Sequence, residues 1–248
     1  MTLLNYVAIP FLGKLEMTNA LVGQILEQDE TKQIYLMDNG PYVSLQFPWS
    51  DIPNVKTYPC PRWNLHRMWN YGIHLAVSDA YYNHGPTLET QQPVNVGVFN
   101  NDLIIDTPNF ISSLASALRS NPSIGMVAAT VDTWNENAPQ AISATYATGL
   151  HGACVMVRGE LPFRFDDRYE WYYGDSDFQA QIANAGYYNC VAPYAKYTHI
   201  DGGHVSLREV DRDDFNQKVM RDEVRFYNKW PQIRRGEYWI PQEFLNPR

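Results

Sequence analysis

Val98-Phe99-Asn100-Asn101-Asp102 is the stretch on which the reading of this chain turns. An apolar run, Val94 to Phe99, opens here into two amides and a carboxylate. A short apolar run bounded by polar turn formers reads as a buried strand. In an open parallel sheet, ligands bind outside the carboxyl ends of the strands. Hard cations such as Mg²⁺ and Mn²⁺ take oxygen ligands and are commonly shared between a carboxylate and substrate phosphates. Asp102 can supply that carboxylate, and Asn100 or Asn101 can bond a ribose hydroxyl. Asn and Asp are also ordinary turn formers, so the stretch read alone fits a plain turn as well.

Outward from this strand the chain alternates strands and helices. Leu3 to Ile9 reads as a buried strand stopped by Pro10, and Met17, Ala20, Leu21 and Ile25 repeat at helical spacing. Gln33 to Met37 reads as a second strand, closed by the turn signal Asp38-Asn39-Gly40-Pro41. This β-α-β order predicts an α/β fold, a doubly wound and mostly parallel sheet with helices on both faces. Residues 41–62 are rich in proline and read as loop with room for a short strand. Asn64 is placed to cap a helix with the stripe Leu65, Met68, Trp69, Gly72, Ile73 and Ala76. Residues 78–92 read as an inserted loop before the strand at Val94.

Thr107 as N-cap and Pro108 at the first helical position predict a helix that buries Phe110, Ile111, Leu114 and Leu118. Ile124 to Thr130 and Ala153 to Val157 read as strands around a polar stretch, residues 131–148. Ser176 and Gln179 fit a capping box for a helix from Asp177 to Ala185, which Gly186 ends. Tyr187 to Ala192 and Ala195 to His199 read as two short strands. Asp213 to Lys229 reads as a terminal amphipathic helix, acidic at its start and basic at its end, as a helix dipole prefers.

Bulk properties narrow the class. The 248 residues are 45% hydrophobic and 19% charged, enough for one good core. The net charge of −8 argues against a nucleic-acid partner, which needs a basic face. Three widely spaced cysteines, Cys60, Cys154 and Cys190, suggest a reducing compartment rather than a disulfide framework. The first ten residues lack a signal-peptide pattern, and no apolar run reaches the roughly 20 residues that span a bilayer. A soluble, cytoplasmic protein without a transmembrane segment is the expectation. Aromatic residues make up 14%, and aromatic faces suit the C–H faces of sugars, though they suit a protein core equally.

The motifs, taken in order, resemble those of a family-2-like GT-A fold glycosyltransferase, within the nucleotide-diphospho-sugar transferase superfamily. After Asn100-Asn101-Asp102 come the strand Gly152-Ala153-Cys154-Val155-Met156-Val157-Arg158, the loop Phe165-Asp166-Asp167-Arg168-Tyr169 and the block Tyr172-Tyr173-Gly174-Asp175-Ser176-Asp177. Before it come Asp38-Asn39-Gly40 and a helix with Asn64 and Asn70-Tyr71-Gly72-Ile73. After it come Thr198-His199-Ile200-Asp201-Gly202-Gly203-His204-Val205-Ser206 and an aromatic-Lys-Trp ending at Lys229-Trp230. The resemblance covers about residues 3–205. The chain departs from the pattern in three places: only the last acid of the metal motif remains, Gly174 stands where a Glu is usual, and His66 stands where a small residue is usual.

The resemblance implies a three-layer α/β/α fold with a nucleotide-binding half over residues 1–106, an acceptor half over 107–205, and a helical tail over 206–248 packed on the same domain. It implies a metal-dependent, inverting transfer of a sugar from a nucleotide-sugar donor, a UDP-sugar first, to a hydroxyl of a protein or glycan. Asp175 is then the general base. Asp102 and His199 hold Mn²⁺ or Mg²⁺, with His204 as the alternative imidazole. Pro10, Phe11, Asp38, Arg67, Asn70, Asn100 and Asn101 line the nucleotide. Trp134, His151, Gly152, Trp171 and Asp177 contact the sugar or acceptor, with Tyr146 and Tyr172 beside them. Plainer roles exist for several: Arg67 as a solvated helix charge, Asp175 and Asp177 as helix-start carboxylates. Two other functions fit the pattern less closely. One is a nucleotidyltransferase, which would want more glycine and positive charge than Pro10-Phe11-Leu12-Gly13-Lys14 offers. The other is a nucleotide-sugar-binding protein with a decayed catalytic site.

Overall fold

Fourteen elements make up the structure, a computed structural model that describes residues 4–28, 31–40, 49–84, 93–131, 150–200 and 211–234. The strands are β1 (Leu4–Phe11), β2 (Thr31–Asp38), β3 (Val55–Pro59), β4 (Val94–Phe99), β5 (Leu103–Ile105), β6 (Ile124–Val131), β7 (Cys154–Arg158) and β8 (Tyr188–His199). The helices are α1 (Leu15–Leu26), α2 (Leu65–His84), α3 (Phe110–Arg119), α4 (Gly174–Asn184), α5 (Arg212–Lys229) and the short α6 (Pro231–Arg234).

The strands form one sheet in the order β3-β2-β1-β4-β7-β6-β8-β5. Strands β1, β2, β3 and β4 run parallel, and β6 runs parallel to β8. Only β7 and the edge strand β5 run against their neighbours. Period-2 alternation splits the apolar side chains between two cores. Val7, Ile9 and Ile34 face α1 and α3, whereas Tyr6, Ala8 and Tyr35 face α2 and α4. The result is a helix/sheet/helix sandwich. No helix among the described residues is long and apolar enough to cross a membrane.

Several expected boundaries move, each for a local reason. Strand β1 continues through Pro10, which pairs with Met37. Pairing of β1 with β4 ends at Ala8–Val98, so Pro10 has a strand on one side only, where sheets tolerate proline. Helix α2 runs on through residues expected to be loop, because Ala80 is still buried on the sheet. Thr107 does not cap α3; its Oγ1 accepts from Lys196 N–H (3.1 Å), and the helix starts at Phe110. The capping box at Ser176 does not form either. The Gln179 amide bonds both backbone groups of Leu150 (3.3 and 3.0 Å), and α4 begins three residues earlier than expected, at Gly174. The two strands expected over 187–199 are one, β8, with a register irregularity opposite Ala129 and Thr130.

Other signals hold. Asn64 Oδ1 accepts from Arg67 N–H (2.9 Å), an N-cap bond to the third residue of α2. Gly186, at φ +83°, ends α4 with Gly186 N–H to Ala183 O (3.0 Å) and Tyr187 N–H to Ile182 O (3.1 Å). That pair of bonds is a Schellman closure, which needs a left-handed residue at this point.

Gly72 shows why the helix carries Asn-Tyr-Gly-Ile. A Cβ on Gly72 would sit 2.3 Å from Ala8 Cβ, so α2 approaches β1 as closely as a bare Cα allows. Gly72→Ala is expected to lower the unfolding free energy by about 1–3 kcal/mol through overpacking. Urea unfolding measures it; an unchanged midpoint would mean the helix has room to shift.

Candidate functional site

Six of the eight strands share one direction, so residues far apart in sequence reach one edge of the sheet. Asp38 ends β2, Phe99 ends β4 and His199 ends β8. The antiparallel strands β5 and β7 begin at that same edge, where Leu103 pairs with His199 and Cys154 with Phe99.

The first cluster lies at the ends of β4 and β8. His199 Nε2 is 3.1 Å from Asp102 Oδ1, and both side chains are less than one-tenth exposed. Nε2 is the ring nitrogen that faces the carboxylate, and the other is Nδ1. It is buried and has no partner among the described residues, and the same holds for Asn100 Oδ1. Buried polar atoms are nearly always bonded, so Asn100 Oδ1, on the residue after β4, and His199 Nδ1, at the end of β8, each have bonding capacity left for a ligand. His151 stands beside them, its ring 5.1 Å from that of His199 and its Nδ1 2.7 Å from the Tyr197 hydroxyl. Burial, then His199, hold the His151 imidazole below its usual range, while Asp175 and Asp102 pull the other way. Both carboxylates therefore act on one ring. A carboxylate, an imidazole and an amide carbonyl suit a divalent cation of the Mn²⁺ or Mg²⁺ kind that takes its other ligands from a diphosphate. Among the described residues no three His, Cys, Asp or Glu side chains converge as a metal group by themselves.

The ends of β1 and β2 form the next part of the edge. Asn39 N–H donates to Phe11 O (2.9 Å) and Cys60 N–H to Asp38 O (2.7 Å), which stitches three strand ends together. Asp38 is 6% exposed, and its Oδ1 accepts from Gly40 N–H (2.8 Å), an Asx turn. Pro10 is buried, and Phe11 meets Trp49 edge to face. Arg67 is exposed at the start of α2, with its guanidinium 4.3 Å over the Trp63 ring.

Two expected nucleotide ligands are committed elsewhere. The Asn70 amide donates to Phe165 O (2.8 Å) and accepts from Phe165 N–H (2.9 Å), so it clamps a loop instead of facing a ligand. Asn101 Nδ2 donates to Thr18 Oγ1 (3.0 Å) and ties the motif to α1. Asn100 is the amide left for a ligand.

Asp175 sits in the first turn of α4, where the helix dipole favours its charge. Its Oδ1 accepts from Ser176 N–H (2.8 Å). Two glycines make its place. A Cβ on Gly152 would meet the Asp175 carboxylate at 2.5 Å, and a Cβ on Gly174 would meet His66 Nε2 at 2.0 Å. Gly152 is thus part of the wall behind Asp175. His66 is buried, donates from Nδ1 to Tyr169 O (3.0 Å), and is held below its usual range by burial, so it packs as a neutral ring. The unusual residue in the α2 motif is therefore a filler that fits against a helix start without a side chain.

Asp177 is not an open acceptor contact. It has no exposed surface and accepts from Tyr169 OH (3.3 Å), Gln181 Nε2 (2.7 Å), Lys229 Nζ (2.9 Å) and Trp230 Nε1 (2.8 Å). Trp171 is half-buried against Phe215 of α5, and Tyr172 beside it is 45% exposed. Asp222, Lys229 and Trp230 of the C-terminal region pack on this part of the site. The sequence offered one signal for them, the aromatic-Lys-Trp ending; for Asp222 it offered none. Trp134, Tyr146, Asp201, Gly202, Gly203 and His204 lie outside the described residues.

No protein-family model matches the sequence, and no curated protein matches it. Solved structures do. The mannosyltransferase PcManGT from Pyrobaculum calidifontis, in complex with GDP-Man and Mn²⁺, superposes with a TM-score of 0.58 at 16% identity, covering 78% of this chain and 56% of that one. TarS 1–349 of S. aureus, in complex with UDP, gives 0.58 at 14% identity over 91% of this chain and 66% of that one. The same protein with UDP-GlcNAc gives 0.58 at 14% identity, over 91% and 67%. The chain thus spans a little over half of the mannosyltransferase and about two-thirds of TarS 1–349. At these identities what is shared is the fold, and the sheet order and helix layers described above are those of a GT-A-like glycosyltransferase fold.

Proposed function

We propose that this chain is a divalent-metal-dependent, inverting glycosyltransferase that moves a sugar from a nucleotide-sugar donor to an acceptor hydroxyl. The observation that carries the reading is the pairing of Asp102 with His199 beside the unpartnered Asn100 Oδ1, at the carboxyl edge of a sheet of this fold. Nucleotide sugars and Mn²⁺ in the structural neighbours support it. The three cysteines are free and buried, which fits a reducing compartment such as the cytoplasm.

On this reading the donor's diphosphate lies against Asp102, His199 and Asn100, and its nucleoside lies towards Asp38, Pro10, Phe11 and Arg67. A UDP-sugar is the first donor to try. A bound Mn²⁺ or Mg²⁺ supplies charge that offsets the negative charge on the leaving diphosphate. Asp175 takes the proton of the acceptor hydroxyl while that oxygen attacks the anomeric carbon. The bond from that carbon to the diphosphate oxygen breaks, and its configuration inverts. The Ser176 N–H bond and the wall at Gly152 keep the carboxylate from turning away. His151, Trp171 and Tyr172 border the base and are placed to meet the acceptor, a glycan or a protein side chain.

Thermal unfolding against a panel of UDP- and GDP-sugars, with and without Mn²⁺, tests donor binding without any acceptor. At a hundred times Kd a ligand adds about 2.7 kcal/mol, about 5–10 °C for a chain of this size. The expected outcome is a Mn²⁺-dependent rise with one donor, lost in Asp102→Ala. A rise that survives Asp102→Ala would move the metal elsewhere.

Asp175→Asn is expected to keep that rise while turnover drops about 100-fold or more, the usual worth of a general base. Wild-type turnover in Asp175→Asn would refute the base assignment, and donor binding with no turnover in the wild type would identify a binding protein instead. Gly152→Ala is expected to lower turnover with little change in donor binding, because its methyl would enter the space of the Asp175 carboxylate. Unchanged turnover would show that Asp175 needs no such wall.

A further inference from the structure

We propose that Asp222, on the C-terminal helix α5, is a positioning residue for the base: its carboxylate holds the three residues that set where Asp175 enters α4. The proposal rests on the sugar-transfer reading of the site. Asp222 has no exposed surface, and a buried charge needs partners. It finds them in successive backbone groups. Glu170 N–H lies 3.1 and 3.0 Å from its two oxygens, Trp171 N–H 2.8 Å from Oδ2, and Tyr172 N–H 3.2 Å from Oδ2. Consecutive N–H groups aimed at one point form an anion-binding concavity. Here a side chain about fifty positions downstream fills it. Arg225 Nη1 lies 3.3 Å from Oδ1 and also donates to Arg168 O, so the charge is compensated and the loop is gripped twice.

Docking of α5 does not need this carboxylate. Phe226 and Trp230 already pack on Tyr169 and Ala180 as an apolar cluster. Burying a carboxylate is a poor way to add stability, since apolar residues of similar size do as well or better. What the carboxylate adds is direction. Residues 170–173 lie in no helix or strand and end at Tyr173, held at φ +66° just before the helix turn that carries Asp175. Left to itself such a segment drifts, and a reacting group misplaced by about 1 Å costs about a hundredfold in rate. The three N–H bonds fix the peptide planes from which Tyr173 and then Asp175 project. The C-terminal helix is then part of the active site, although it lies beyond the segment that carries the other motifs.

Asp222→Asn keeps the size but replaces one acceptor oxygen with a donor that faces other donors. Two readouts test it. Amide hydrogen exchange on the ligand-free chain reads the geometry: protection at Glu170, Trp171 and Tyr172 is expected to fall while β1 and β4 keep theirs. Turnover is read as nucleoside diphosphate released from UDP-glucose, UDP-N-acetylglucosamine or GDP-mannose with Mn²⁺, water being the acceptor. The bond from the anomeric carbon to the diphosphate oxygen breaks, one to the water oxygen forms, and the water proton passes to Asp175. Rates are divided by the donor-binding sites counted by calorimetric titration, which removes any unfolded fraction.

The expected result is a drop of about tenfold or more per donor site, with donor Kd unchanged. Arg225→Gln, at a side chain 36% exposed, leaves the carboxylate in place and is expected to give a smaller drop of the same kind in a folded protein. Equal turnover per site in wild type and Asp222→Asn overturns the proposal, as does unchanged exchange at residues 170–172. A loss explained wholly by weaker donor binding also overturns it. A wild type that binds no donor and releases no nucleoside diphosphate brings down the sugar-transfer reading, and this proposal with it.

Discussion

A carboxylate with no exposed surface must find its hydrogen bonds inside the protein, and the second half of this fold is arranged around one that does. Asp177 receives donors from Tyr169, Gln181, Lys229 and Trp230, which belong to a loop, α4 and the C-terminal helix pair. Removing any partner would leave a buried charge short of a bond, which costs more than the bond itself contributes. Three segments are therefore locked to one another at the start of α4. The Lys229 ammonium bridges Asp177 to Asp166 (3.3 Å), which spreads the lock to the loop that Asn70 clamps from the other side. Asp175, two residues before the locked carboxylate, is held from that side, stays partly open to solvent, and is approached through the segment that Asp222 bonds.

The other half of the site depends on strand direction. Because β1, β2, β4 and β8 point the same way, Phe11, Asp38, Asn100 to Asp102 and His199 collect on one edge without a dedicated scaffold. The antiparallel β7 begins at that edge, which places the preceding Gly152 and His151 there, and the missing Cβ of Gly152 lets α4 close against it. Among the buried side-chain atoms that have no partner within the described residues, Asn39 Oδ1, Asn100 Oδ1 and His199 Nδ1 belong to residues at this edge, where a ligand has something to offer the protein. Burial, with His199 beside it, biases His151 towards the neutral ring near the place where a metal and a diphosphate are proposed to meet.

Much of the fold was legible in the sequence because its signals are local. Strand β4 falls at its expected limits, and the buried stripe of α3 is the expected one, since periodicity reports which face meets a core. What misled were side chains whose obvious local use was outbid by a distant one. Gln179 looks like a capping partner and instead bonds Leu150; Thr107 looks like an N-cap and instead receives Lys196 N–H. Asn70 looked like a ligand and is a loop clamp for the same reason. Strand β5, three residues long, has too few positions to show a period, and the reversed direction of β7 leaves no mark in its composition. Asp222 was invisible because its three partners in the loop are backbone groups, which every residue has. The order of motifs gave the edge on which the proposed site lies and singled out Asp175 as the base; it did not show that Asp175 is partly open and Asp177 sealed.

The most direct test of the account is a crystal structure of the chain with Mn²⁺ and UDP or GDP. The account predicts a cation bound to Asp102 at about 2.0–2.3 Å, with His199 or Asn100 beside it and the diphosphate completing its shell. A nucleotide bound elsewhere would contradict it. An example is the 380 Å³ cavity between the end of α1 and the β5–α3 loop, lined by Gln24, Glu27 and Asp106, which would leave the carboxyl edge without its proposed ligand.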